Sequence, residues 1–347
     1  MTDRKLKAAV LGLNVRSQLL LEAAKESEYY EITAIADKDT ELVEKTAKLY
    51  GCKGHDDFRQ LIIQHQLDCI FVGAGLHSCI DYVQQAIKKK VNILKCPPAG
   101  RNFEESVELV KSAEDNGVQF SIAAISRLSD SFSTFKTMIE PGKLEHKYLL
   151  EVICNTADEV FPTWYNDREL SGGGVLLRNS YEPIDQMTLS FSLPQEVYCL
   201  TTNTADDRQQ RHYLTEDTAL VIFRFREDFI GILKAGKLAG MKESFLRVFG
   251  KEKTLTCRDD FITVLDNNGQ MIEKKKFSFE PKACARHLLD KFALSVLWPD
   301  KNKPFSSGAE HLKNMALIES AYLSSKTGMP ESVMRILEMA QIEMINP

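Results

Sequence analysis

Lys7-Ala8-Ala9-Val10-Leu11-Gly12-Leu13-Asn14-Val15-Arg16-Ser17 is the stretch whose reading decides the fold. Lys7 to Leu11 is an apolar run of strand length, Gly12 breaks it, and from Arg16 to Lys25 apolar residues return at helical spacing. In a strand–turn–helix unit that holds a dinucleotide, glycines at the first, third and sixth turn positions give a tight bend, close backbone approach to the pyrophosphate and tight helix–strand packing. Only Gly12 is kept here, with Asn14 third and Ser17 sixth. Asn tolerates left-handed backbone and Ser is small, so the turn keeps its shape. Gly12, Leu13, Asn14 and Val15 are therefore candidate cofactor contacts.

Outward from this turn, apolar runs alternate with helical patterns. Strands are expected at Lys7 to Leu11, Glu31 to Ala36, Asp68 to Val72, Val91 to Leu94 and Val118 to Ala123. Helices are expected at Arg16 to Lys25, Thr40 to Tyr50, Ile80 to Lys89 and Phe103 to Asn116. This alternation predicts an α/β, Rossmann-type doubly wound parallel sheet over residues 1–125. Asp37 ends the second apolar run, 25 residues after Gly12. A carboxylate at about that spacing accepts hydrogen bonds from an adenosine ribose and repels a 2′-phosphate, which favours NAD. Lys38 beside it softens the preference and leaves NADP open. The other reading of Asp37 is that it caps the helix that follows.

After Arg127 the rhythm changes. Tyr148 to Cys154, Glu196 to Thr202, Ala219 to Phe225, Phe229 to Ala235, Phe245 to Gly250, Lys253 to Cys257 and Phe261 to Asp266 read as consecutive strands, joined by turns such as Arg226-Glu227-Asp228 and Asn267-Asn268-Gly269. Helical patterns follow at Ala283 to Val296, Gly308 to Ser325 and Glu331 to Ile345. Residues 126–347 are expected to form an α+β domain with a large, mainly antiparallel sheet, with its last helices free to pack back on the first domain.

Composition narrows the function. With 347 residues and 44% hydrophobic content the chain can bury a large core. Its 44 basic and 49 acidic residues include no arginine-rich tract, which argues against nucleic acid and for a small polar ligand. The apolar segment near Ala8 is too short for a signal peptide or a membrane span, so a soluble, cytoplasmic protein is expected. Eight scattered cysteines without a Cys-x-x-Cys pair predict reduced thiols and no metal framework.

The run Gly172-Gly173-Gly174-Val175-Leu176-Leu177-Arg178-Asn179-Ser180-Tyr181-Glu182-Pro183-Ile184-Asp185 resembles the Gly-Gly-Gly-x-Leu-x-Asp-x-Gly-x-His-x-Ile-Asp stretch of the Gfo/Idh/MocA oxidoreductases. The glycines, Leu176, Ile184 and Asp185 match, while Arg178, Ser180 and Glu182 stand at the family's Asp, Gly and catalytic His. Lys95-Cys96-Pro97-Pro98-Ala99 resembles the family's Glu-Lys-Pro-x-Ala, with Lys95 on the Glu and Cys96 on the catalytic Lys. Gly73-Ala74-Gly75-Leu76-His77 falls where the family has a Thr-Pro-Asn-x-x-His loop across the cofactor. Arg127, Trp164, Glu216-Asp217 and the helix end Ala321 to Gly328 follow in family order.

The resemblance implies an NAD-dependent oxidoreductase that transfers hydride to or from a sugar-, inositol- or polyol-like small molecule, in a cleft between strand ends and the second sheet. It also implies a homo-oligomer, because relatives commonly pair through that sheet's outer face. By position, Gly73, Ala74, His77 and Cys96 join the cofactor contacts, although a His at a helix start also reads as a cap or exposed group. A thiol at Cys96, with an ordinary pKa of about 8.5, supplies no cation to a substrate hydroxyl. Lys95, one residue along, faces the other side of an extended strand. Glu182 and Asp185, with Lys95, remain as acid–base candidates, and Arg178 and Arg127 as substrate contacts. Arg178 has two further readings: a helical-turn pair with Glu182, or a hold on an acidic substrate group. The competing function is a non-catalytic NAD(H)-binding or regulatory protein on the same scaffold.

Overall fold

The computed structural model describes residues 4–156, 162–205, 212–226, 228–238 and 240–342. Glu227 of the expected 226–228 turn, the first three residues and the end of the expected last helix lie outside these. The chain divides into two units, each discontinuous in sequence. One takes the chain through Arg101, then Glu105–Ile125 and Glu280–His311; the other takes Asn102–Glu104, Ser126–Phe279 and Leu312 onward.

The first unit is built on six strands, β1 (Leu6–Leu11), β2 (Tyr30–Ala36), β3 (Lys53–His55), β4 (Cys69–Val72), β5 (Asn92–Lys95) and β6 (Phe120–Ile122). They lie in the order β3-β2-β1-β4-β5-β6, every neighbouring pair parallel, as the doubly wound expectation requires. β1 and β4 are fully sequestered at Ala8 to Leu11 and Cys69 to Val72, because helices cover both faces of a sheet of this kind. The order reverses between β1 and β4, and a ligand crevice opens at the carboxyl ends of strands at such a point. The late segment Glu280–His311 is tied to the same unit by side chains: Tyr30 donates to the Leu289 carbonyl at 2.6 Å, and Gln119 to the Ser295 hydroxyl at 2.8 Å.

The second unit carries β7 (Leu149–Asn155), β8 (Glu196–Thr202), β9 (Thr218–Arg224), β10 (Ile230–Gly236), β11 (Glu243–Phe249), β12 (Lys253–Cys257), β13 (Phe261–Asp266), β14 (Met271–Lys276) and β15 (Glu331–Ser332). Their order is β14-β13-β12-β11-β7-β10-β9-β8-β15, antiparallel throughout except for β7 beside β10. β9 alternates strictly: Ala219, Val221 and Phe223 are buried while Leu220 and Ile222 are exposed. One face of the sheet is therefore core, packed by the helices Asp130–Met138 and Tyr181–Phe191.

The segment from Glu331 departs from the expected single helix. Glu331 and Ser332 pair with Val197 and Glu196 as β15, and the helix is Val333–Met339, capped by the Ser332 hydroxyl on the Arg335 N–H. The cysteines form no disulfide, and burial pushes the Cys199 and Cys257 thiols up to about 12. Among the described residues no helix is long and apolar enough to cross a membrane.

Candidate active site

In the first unit the turn after β1 is shaped for close approach. Gly12 has φ +85°, and a Cβ there would overlap the main chain of Ala74. The helix Val15–Glu26 starts on Asn14, whose side-chain carbonyl accepts the Ser17 N–H at 2.9 Å and whose amide donates to the Gly73 carbonyl. Ser17 is fully buried, donates to the Gly12 carbonyl at 2.6 Å, and occupies the room that Gly73 leaves at the end of β4. Close helix–strand packing is thus kept by moving the missing glycine from the turn to the neighbouring strand end. Val15, the first residue of that helix, is exposed.

Asp37 accepts the Leu13 N–H at 2.6 Å and the Asp39 N–H at 3.0 Å. The cap of the next helix is Asp39, which accepts the Leu42 N–H at 3.0 Å. Asp37 is half-buried, and a carboxylate has lone pairs beyond these two bonds for ribose hydroxyls. Lys38 beside it is exposed. His77 is exposed in the first turn of the helix Leu76–Lys88, which begins on Gly75. Gly12, Asn14 and Asp37 fit a dinucleotide in kind: backbone room at the turn, a helix that starts on Asn14, and the Asp37 carboxylate bonded to the Leu13 N–H of the same turn.

Lys95 and Cys96, at the end of β5, are both buried, at 2% and 5% exposure. The Lys95 ammonium donates to the carbonyls of Cys96 at 3.1 Å and Pro98 at 2.6 Å, and so ties down the turn that holds the cis Pro97–Pro98 bond. The Cys96 N–H donates to the Val72 carbonyl at 2.8 Å.

In the second unit the glycine run is fixed by a buried carboxylate. Glu216 accepts the Gly174 N–H and the Leu176 N–H at 3.0 Å and the Tyr322 hydroxyl at 2.8 Å. A Cβ on Gly174 would overlap the Glu216 main chain. Burial raises the pKa of the Glu216 carboxyl, and these donors hold it partly down. Three stretches far apart in sequence therefore meet at one carboxylate.

The backbone then makes one wide turn: the Arg178 N–H reaches Gly174, four residues back, but the Ser180 N–H reaches Val175, five back. That extra residue moves Arg178 off the helical register it would share with Glu182. Arg178 instead lies 4.5 Å from the ring centre of Trp164 and 4.0 Å from that of Tyr165, and donates to the Ser171 carbonyl at 3.1 Å.

Glu182 is half-buried in the first turn of the helix Tyr181–Phe191, where its carboxylate accepts the Ser126 N–H at 3.2 Å. The Ser126 hydroxyl is buried without a hydrogen-bond partner among the described residues. Asp185, one turn on, is fully buried. Arg127 grips both its oxygens at 2.7 Å, and the Asn314 amide donates at 2.7 Å. Asn314 in turn accepts the Thr188 hydroxyl at 2.6 Å. The structure thus brings Asp185 and Arg127 together as one ion pair and leaves Glu182 as the half-buried carboxylate of that helix turn. Sequence reasoning missed Asn314 and Ser126. A lone Asn among Leu312, Met315 and Ala316 on a buried helix was the one available signal for Asn314.

Two family models match the chain: an oxidoreductase family with an NAD-binding Rossmann fold, over residues 6–124, and the GFO/IDH/MocA C-terminal domain, over residues 132–256. A D-apiose dehydrogenase of Paraburkholderia graminis is 20% identical over 99% of this chain and 92% of its own length. A 2,7-anhydro-N-acetylneuraminate hydratase of Mediterraneibacter gnavus is 22% identical over 70% of this chain and 64% of its own. Among solved structures, a levoglucosan dehydrogenase complexed with NADH and levoglucosan matches with a TM-score of 0.84 at 14% identity, covering 95% of this chain and all of that one. At that identity the structural likeness is one of fold.

Proposed function

The chain belongs to the Gfo/Idh/MocA family of NAD-binding oxidoreductases, and on that premise we propose that it catalyses hydride transfer to or from a sugar-, inositol- or polyol-like molecule, with Glu182 handling the proton. One observation carries this reading: Glu182 stands at the family's His position, half-buried and held by the Ser126 N–H. NAD, when bound, supplies the hydride acceptor or donor. The residues to hold it are Gly12, Leu13, Asn14, Val15 and Asp37, with Gly73, Ala74, His77 and Cys96 completing the same side and Lys38 bearing on NADP.

In the oxidative direction Glu182 accepts the proton of the substrate hydroxyl as that carbon loses hydride. Asp185 and Arg127, locked to each other, fix the helix turn that carries it and take no proton. Lys95 is a structural tie of the 95–98 turn. The outer face of the second sheet, where Leu200, Leu220, Ile222 and Ile230 are exposed, supports pairing of two copies. Eight cysteines without a disulfide support a reducing, cytoplasmic setting.

The test is a panel of sugars, sugar acids, inositols and sugar phosphates followed by NADH absorbance. A substrate should emerge, and Glu182→Gln should lower kcat by about 10²- to 10⁴-fold. Activity unchanged in Glu182→Gln would remove that residue from the reaction. A second reading, a non-catalytic NAD(H)-binding protein, is favoured by Lys95 being directed onto backbone carbonyls with a thiol beside it. NADH binding with no turnover across the panel would select it.

A further inference from the structure

Arg127 and Arg178 lie in the same unit and differ in one respect. Arg127 presents its Nε–Nη2 edge to Asp185 and both N–H groups are taken. Arg178 presents the same kind of edge, with Nη2 on the Ser171 carbonyl and Nε buried without an acceptor among the described residues. Arg178 makes no ion pair among the described residues either. Its guanidinium is flanked by Trp164 and Tyr165, both only partly covered. Withdrawal from water pushes its pKa down, opposed by Tyr165, Tyr322 and Glu216. A cation drawn out of water with no ion pair among the described residues, only the more distant charge of Glu216, and one orphaned donor is costly to keep, and a ligand that completes the donor offsets that cost.

We propose that Arg178 is the seat of a substrate carboxylate, so that the molecule turned over is a sugar acid or polyol acid and not a neutral sugar. This rests on the sugar-oxidoreductase reading given above. The Nε–H beside the Nη2 that Ser171 already holds is the donor left to complete, and the planar guanidinium suits a planar carboxylate better than a tetrahedral phosphate. The flanking rings hold the guanidinium plane in place before the ligand arrives, so little rotamer entropy is lost on binding. Arg178 is a specificity determinant here, and Glu182 keeps the proton.

The experiment is calorimetric titration of the protein, with and without saturating NADH, using D-glucuronate, D-glucose and D-glucose 6-phosphate as probes. Glucuronate should bind about 10- to 100-fold more tightly than glucose, the range expected for a charge-assisted hydrogen-bonded pair. Arg178→Met should abolish that preference and Arg178→Lys should keep part of it, both with wild-type NADH affinity as the control for folding. The proposal is overturned if wild-type protein binds glucuronate no better than glucose, if glucose 6-phosphate binds more tightly than glucuronate, or if the preference survives in Arg178→Met. The wild-type comparison decides the matter even where a variant fails to fold. Failure to bind NADH counts against the oxidoreductase reading alone, since the acid preference is also measured without it.

Discussion

The guanidinium of Arg127 and the carboxylate of Asp185 meet edge to edge, Nε on Oδ2 and Nη2 on Oδ1, each at 2.7 Å, with side-chain exposures of 6% and 0%. Removing one partner of so buried a pair strands the other's charge. Arg127→Met should destabilise the protein by about 3–5 kcal/mol, whereas Arg127→Met with Asp185→Leu should recover much of the loss. Thermal melting of the two variants reads this directly, and a double variant no more stable than the single one would argue against the pair's dominance.

Glu216 gives a pH prediction. Burial raises its folded pKa above the ordinary value of 4.5, so the folded state binds this proton more tightly than the unfolded chain. Stability from this group is fully present below the unfolded pKa and is lost as pH rises through the folded one. The stability of Glu216→Gln relative to wild type should therefore improve as pH is raised from about 4.5. Melting curves across that range check the sign, and an opposite slope would mean that the donors from Gly174, Leu176 and Tyr322 outweigh desolvation.

The exchange of glycine between positions 17 and 73 predicts a compensating pair. A Cβ on Gly73 would overlap the Ser17 side chain. Gly73→Ala alone should weaken NADH binding by at least about 10-fold, from distortion of the turn proposed to hold the cofactor, and adding Ser17→Gly should restore part of it. Titration of the single and double variants measures the coupling.

Within the second sheet β8 and β9 pair with Leu200 opposite Leu220 and Tyr198 opposite Ile222, on the face away from the core. On the proposed pairing of two copies through this face, wild-type protein should sediment as a dimer and Leu220→Glu with Ile222→Glu as a monomer of unchanged secondary structure.

The parallel sheet was legible because a strand buried on both faces is a continuous apolar run, and Val10-Leu11 or Ile70-Phe71-Val72 allow little else. Lys53–His55 was not legible, since a three-residue edge strand with a central glycine has no period to read. Met271–Lys276 was hidden for the same reason: all six residues are exposed, and only main-chain pairing to β13 makes it a strand. In the site, Glu182, Asp185, Arg127 and Arg178 were visible as departures from or matches to a family pattern. Their partners were not, because Asn314 lies 129 residues from Asp185 and the wide turn at Val175 to Ser180 changes which side chains meet.

The central claim, an NAD-using oxidoreductase built on the Gly12 turn and Asp37, is tested most directly by calorimetric titration of purified protein with NADH and NADPH, alongside Asp37→Ala. NADH should bind saturably, at least about 10-fold more tightly than NADPH, and Asp37→Ala should erase that difference. No binding of either nucleotide up to millimolar concentration would contradict the account.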